Sequence, residues 1–229
     1  MEITGRKTDF VIAELEQKIL DGTFAQGEML PSERDLMDRF GVGRNIIREA
    51  ISSLSRNGLL ITKPRHRPVV AQAGYDTALE SLSALVHHFM NEDGGFKNLY
   101  DSRIFIETSL SRYAALNARK DDIARLKEAL ENNRAAMENP EEFYRTDVLF
   151  HKVLYEIPKN PIYTALQNAY VSWLSGHWPK MERGVEINKV TFAGHEAVYN
   201  AILERDPDGA EEAMHNHLKV AWEHIRSTF

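Results

Sequence analysis

Residues 29 to 60 constrain this chain most, because they read as two short helices joined by a turn too tight for most residues. Pro31 suits an early helical position, and Ser32 with Asp35 three residues on forms a capping-box pattern, so the first helix has a marked start. Leu36, Met37 and Phe40 give it an apolar face, and Gly41-Val42-Gly43 breaks it with residues that tolerate a sharp turn. A second helix begins near Arg44. Ile47, Ala50, Ile51, Leu54 and Leu60 supply its buried side, while Arg44, Asn45 and Arg48 lie near its N-terminal end. In helix-turn-helix proteins that end enters the major groove, where arginine bonds guanine in bidentate fashion and asparagine pairs with adenine.

A solvated helix face also carries arginines, so the charge distribution decides. From Arg39 to Ala71 there are seven arginines and lysines against Glu49 alone, a local +6 inside a chain of net charge −6. A basic patch on an acidic protein is the electrostatic footprint of phosphate binding. Residues 1–71 carry 11 basic and 10 acidic side chains, the remaining 158 carry 17 and 24, so the chain has a DNA-facing end and an acidic end. At 229 residues and 43% hydrophobic content, two modest domains with real cores are expected, 1–75 and 76–229, divided near Ala71-Gln72-Ala73-Gly74-Tyr75. There is no cysteine and no run of 18 apolar residues, so disulfides and a membrane span are not expected and a cytoplasmic location is.

The order Leu-Pro-Ser-Glu-Arg-Asp-Leu, Phe-Gly-Val-x-Arg, Ile-Arg-Glu-Ala-Ile and Gly-Leu-Leu resembles the winged helix-turn-helix of the GntR family of transcription regulators. The resemblance implies double-stranded operator DNA as partner, Arg34, Arg44 and Arg48 as contacting arginines, and Ile61 to Val70 as the wing. The chain departs from the family at two places. Gly43 stands where serine or threonine is usual, removing a side-chain cap, and the wing carries Arg65 and Arg67, on either side of His66, where glycines are usual. The added charge at the wing tip is expected to strengthen attraction to phosphates.

Beyond residue 75 only helices are expected, at about 77–90, 97–118, 120–138, 140–157, 160–178, 187–205 and 207–227, with breaks at Gly94-Gly95, Asn139-Pro140, Pro158 to Pro161 and Asp206-Pro207. The fold class is therefore mainly α: a winged helix-turn-helix with a small β wing, then an all-α antiparallel bundle. Four of these helices set polar residues in the middle of apolar faces, where an unpaired polar group is costly. Phe143, Tyr144, Val148, Phe150, Leu154 and Tyr155 surround Asp147 and His151, whose i, i+4 spacing stacks them on one side. Phe192, Val198, Tyr199 and Ile202 bracket His195, and Ala210, Met214, Ala221 and Ile225 bracket His217, whereas His215 points off that face. One aspartate and three histidines suit zinc first, with nickel, manganese or iron as alternatives. A hydrogen-bonded core histidine is the competing account of any one of them.

In the helix from 97, Leu99, Tyr100, Ile106, Leu110 and Ala114 form a face with Arg103 and Glu107 at its centre. Two readings stand: an internal i, i+4 ion pair, or an arginine fork that holds the carboxylate of a small acid. The spacing Asp147-x-x-x-His151, then His195 and His217, resembles the metal-binding FCD effector domain of the FadR branch of the GntR family. That resemblance runs from about Lys7 to Trp222 and implies Asp147, His151, His195 and His217 as ligands, with Arg103, Glu107 and Asn160 near the effector. It also implies a homodimer, repressor as the expected sign, and an acid or sugar acid as signal. His177 and Trp178 are further lining candidates. A metal-dependent hydrolase or lyase of small acids is the alternative from another class, with Glu107 as its general base.

Overall fold

The computed structural model describes residues 2–71, 74–177 and 184–226, with side chains outside 2–6 and 77. The chain divides into two compact units between Leu82 and Ser83, beyond the composition break at 71–75. No helix among the described residues is long and apolar enough to cross a membrane.

The N-terminal unit comprises α1 (Glu2–Leu20), α2 (Glu33–Phe40), α3 (Arg44–Arg56), β1 (Leu60–Ile61), β2 (Val69–Val70) and α4 (Tyr75–Glu80). Helix α1, absent from the sequence reading, buries Val11, Leu15 and Ile19, which recur every fourth residue and pack towards α3. Ser32 caps α2: its hydroxyl accepts from the Asp35 N–H at 3.2 Å, and the Asp35 carboxylate accepts from the Ser32 N–H at 3.1 Å. Gly41 ends the helix at φ 62°, a left-handed backbone that suits glycine. Ile47, Ala50, Ile51 and Leu54 form the buried side of α3 as expected, but Leu60 joins that core from β1. The two strands are antiparallel, with Leu60 opposite Val70 and Ile61 opposite Val69, and they are the arms of the wing.

The C-terminal unit is a helical bundle: α5 (Ser83–Met90), α6 (Gly95–Asn117), α7 (Lys120–Ala135), α8 (Pro140–Glu156), α9 (Pro161–Ser175), α10 (Val185–Leu203) and α11 (Pro207–Arg226). The single helix expected over 77–90 is instead α4 and α5. At the break the Ser81 hydroxyl donates to the Ala78 carbonyl at 2.7 Å and the Leu82 N–H to the Leu79 carbonyl, closing a tighter turn. Prolines 140, 161 and 207 each stand at a first helical position, where a missing N–H costs nothing. Helix α6 packs on α11 and α10, and α8 on α7, so the middles of α6, α8, α10 and α11 surround one interior.

Replacing Ser32 with alanine is expected to cost about 1 kcal/mol of stability through loss of the cap. Chemical denaturation of the two proteins side by side measures it.

Candidate functional site

At the N-terminal end of α3, Arg44, Asn45 and Arg48 are all exposed, and Arg34 is exposed in the first turn of α2. Gly43 occupies the N-cap of α3 in extended backbone without a side-chain cap, as its residue type dictates. Glu33 meets both arginines of α3: the Arg44 Nε donates to it at 2.6 Å and the Arg48 Nε lies 3.9 Å away. At the wing, Arg65 adopts φ 63° at an exposed turn and His66 Nδ1 sits 2.9 Å from the Pro64 carbonyl. Arg67 differs from the expectation of a free phosphate-seeking side chain. Its Nε donates to the Leu30 carbonyl at 2.8 Å and its Nη2 reaches the same oxygen, so it braces the wing against the entry to α2.

In the C-terminal unit the polar interruptions converge. Asp147 and His151 from α8, His195 from α10 and His217 from α11 each offer one atom, and all four atoms lie within 4.8 Å of one another. His151 Nε2 stands 3.2 Å from His195 Nε2 and 3.3 Å from His217 Nε2, and Asp147 Oδ1 is 3.3 Å from His195 Nε2. All three rings are buried. Behind the rings, His195 Nδ1 donates to Asn133 Oδ1 at 3.0 Å and His151 Nδ1 lies 2.5 Å from Glu107 Oε2. A proton held at His195 Nδ1 leaves its Nε2, which faces the other ligand candidates, with a lone pair and no proton to share.

Such a set fits a divalent cation. Ligand atoms about 2.1 Å from a tetrahedral ion lie roughly 3.4 Å apart, close to the separations seen. Burial holds His195 well below the usual imidazole range, aided by His217, and takes His217 to about 3, so both rings are neutral donors. Burial also pushes the Asp147 carboxyl up, against the pull of His151 and Arg103. Gly194 makes room for the third ring. A Cβ there would lie 2.4 Å from His217 Nδ1.

Arg103 and Glu107 form the ion pair that the sequence left open. Arg103 Nε donates to Glu107 Oε1 at 2.7 Å, and the Tyr155 hydroxyl donates to the same oxygen at 3.2 Å. Burial alone would raise the Glu107 carboxyl, but Arg103 and His151 outweigh it and hold the group well below the carboxylate range. The Arg103 side chain keeps 18% of its surface, and its two Nη nitrogens have no hydrogen-bond partner among the described residues. Arg103, Glu107, Asp147, His151 and His217 line one cavity of about 170 Å³ with Tyr155, Tyr170 and Gln167. The ion pair and a free arginine fork therefore coexist.

Asn160 is not among the residues lining this cavity. It is exposed, and its side chain caps α9 by accepting from the Ile162 N–H at 3.0 Å, the local role of an asparagine before Pro161. His177 packs edge-on against Phe96 and also does not line the cavity. Trp178 lies outside the described residues. The sequence reading missed Asn133, although it follows Leu126, Ala129 and Leu130 on an apolar face of α7 and shows the same polar interruption.

Residues 7–70 match the model of the bacterial regulatory proteins of the gntR family, and residues 98–220 match the FCD domain. The chain belongs to the GntR family and carries an FCD domain. A protein of Klebsiella aerogenes named HTH-type transcriptional repressor NanR is 42% identical over 214 residues, covering 93% of this chain and 82% of that one. One of the same name from Cronobacter sakazakii is 40% identical over 92% of this chain and 82% of its own length. Among solved structures, Streptococcus agalactiae GntR superposes with a TM-score of 0.65 at 20% identity, over 96% of this chain and 99% of that one. GntR membership makes the chain a DNA-binding transcription regulator and not an enzyme, so the hydrolase or lyase reading falls.

Gly194→Ala would ordinarily favour a helix by about 1 kcal/mol. Here it is expected to displace His217 and weaken zinc binding by at least about tenfold, read by competition with a chromogenic chelator.

Proposed function

We propose that this GntR-family regulator is a cytoplasmic repressor that binds a palindromic operator as a homodimer and releases it when a small carboxylic or sugar acid enters the FCD cavity. One observation carries the reading: Arg103, whose Nη nitrogens make no hydrogen bond among the described residues, lines the same cavity as Asp147, His151 and His217, three of the four convergent metal-ligand candidates. Asp147, His151, His195 and His217 would hold a divalent ion, zinc first among the candidates. When bound, such an ion supplies a Lewis-acidic position for one oxygen of the acid.

The chain's own residues do the rest. Arg103 keeps its Nε on Glu107 and offers the Nη edge to a carboxylate. With the Arg103–Glu107 pair neutral, a divalent ion and the Asp147 carboxylate leave a net +1, which favours a single carboxylate over a polyanion. The NanR relatives are repressors by name, which supports that sign here. Arg34, Arg44, Asn45 and Arg48 serve the operator, assisted by Arg65 and His66 at the wing tip. Differential affinity of the acid for two arrangements of the dimer supplies the switch, since half-site spacing must match the spacing of the two winged helices.

A thermal-shift panel of organic and sugar acids on zinc-loaded protein tests this. A ligand at one hundred times its Kd stabilises by about 2.7 kcal/mol, roughly 5 to 10 °C for a chain of this size. One chemical class is expected to give that shift, and Arg103→Ala to abolish it while leaving DNA binding intact. Loss of DNA binding in Arg103→Ala, or a flat panel on metal-loaded protein, would overturn the assignment. Arg44→Ala is expected to cost about 1 to 3 kcal/mol on sequences selected from random DNA and to relax preference at one position.

A further inference from the structure

Two of the three converging imidazoles are held from behind, and the two supports differ in kind. Glu107 behind His151 belongs to the ion pair with Arg103 already described. Asn133 behind His195 is neutral, has no exposed surface, and sits on α7, a helix that provides none of the four metal-ligand candidates.

Its amide orientation follows from its surroundings. The Asn133 Nδ2 faces the Phe143 carbonyl at 3.2 Å and the Thr146 Oγ1 at 2.9 Å. A backbone carbonyl only accepts, so the group facing it is the NH2 end. The Thr146 hydroxyl hydrogen is directed back to the carbonyls of Phe143 and Glu142, at 2.8 and 3.0 Å, leaving its oxygen to accept from Asn133. Both donors of the amide are thereby consumed. The remaining Oδ1 meets His195 Nδ1 at 3.0 Å and can only accept. His195 must carry its proton on Nδ1, and its Nε2 lone pair must face His151, His217 and Asp147. Phe150 stacks on the His195 ring at 4.3 Å between centroids and keeps it from rotating away.

We propose that Asn133, oriented by Thr146 and the Phe143 carbonyl, is the positioning residue of the metal centre, fixing the tautomer and direction of His195 without contacting the ion. The proposal rests on the reading of Asp147, His151, His195 and His217 as a metal centre. It adds that α7 and the first half of α8 set the strength of that centre. Deleting an outer hydrogen-bond partner of a metal-ligating histidine typically weakens binding 10- to 100-fold.

The test uses the full chain. Zinc affinity is measured by competition with a chromogenic chelator for wild type, Asn133→Leu and Thr146→Val, with unfolding of each metal-free protein followed alongside. Long-range 1H–15N correlation of the imidazoles reads the His195 tautomer in metal-free protein, a signal that general loss of stability does not produce. The wild type is expected to show Nδ1–H at His195. Asn133→Leu is expected to lose that signature and about 10- to 100-fold in zinc affinity. Thr146→Val, nearly isosteric and still able to fold should Asn133→Leu not, is expected to mix the tautomers and lose affinity by a smaller factor. Wild-type zinc affinity in the variants, or an Nε2–H tautomer in the wild type, overturns the proposal. A wild type that shows Nδ1–H at His195 yet binds no zinc overturns the metal-centre reading itself, and the role of Asn133 falls with it.

Discussion

The buried carboxylate of Glu107 is the joint on which the C-terminal unit depends. It is 2% exposed and meets Arg103, Tyr155 and His151 at once. An ionised carboxylate at that depth is tolerable only with partners, and removing one partner of such a set commonly costs 3 to 5 kcal/mol. Its partners come from α6, one turn away, and from α8. The same contacts therefore hold the two helices in register, leave the Nη edge of Arg103 towards the cavity, and set a carboxylate behind the His151 ring. Stability and site geometry share one set of contacts.

The two units use charge in opposite ways. The N-terminal unit leaves arginines in water, where an ion pair such as Arg44–Glu33 adds little stability and serves to aim the side chain. The C-terminal unit also carries charges in its interior, Glu107 and Arg103 above all, and each of these must be matched by a specific neighbour. This contrast fits the division of a GntR regulator, in which a fast, salt-sensitive attraction to phosphates is separate from a selective pocket for a small molecule.

Most of this was legible in the sequence wherever a residue broke a local rule. Asp147, His151, His195 and His217 stood out because each interrupts an apolar helix face, and the structure brings them together. The capping box at Ser32 and the glycine stop at Gly41 were legible because cap chemistry is local. Helix α1 is hard to read from sequence because its buried stripe of Val11, Leu15 and Ile19 is narrow and is blurred by off-stripe apolar residues such as the exposed Phe10 and Leu20. The break at Ser81 was missed because nothing there but a serine hydroxyl marks it. Asn160 was assigned to the pocket by resemblance, although the pair Asn160-Pro161 carries a plain N-cap signal that the structure follows. Arg67 shows the limit in the other direction: its charge suggests phosphate, but its reach to the Leu30 carbonyl depends on how the wing folds back, which composition does not encode.

Anomalous X-ray diffraction from crystals of the full chain grown with zinc tests the metal centre most directly. A strong peak is expected at the point where Asp147 Oδ1 and the Nε2 atoms of His151, His195 and His217 converge, about 2.0 to 2.2 Å from each. Zinc found only at exposed side chains such as His87 and His88, with the interior empty, would contradict it and leave the three histidines as hydrogen-bonded core.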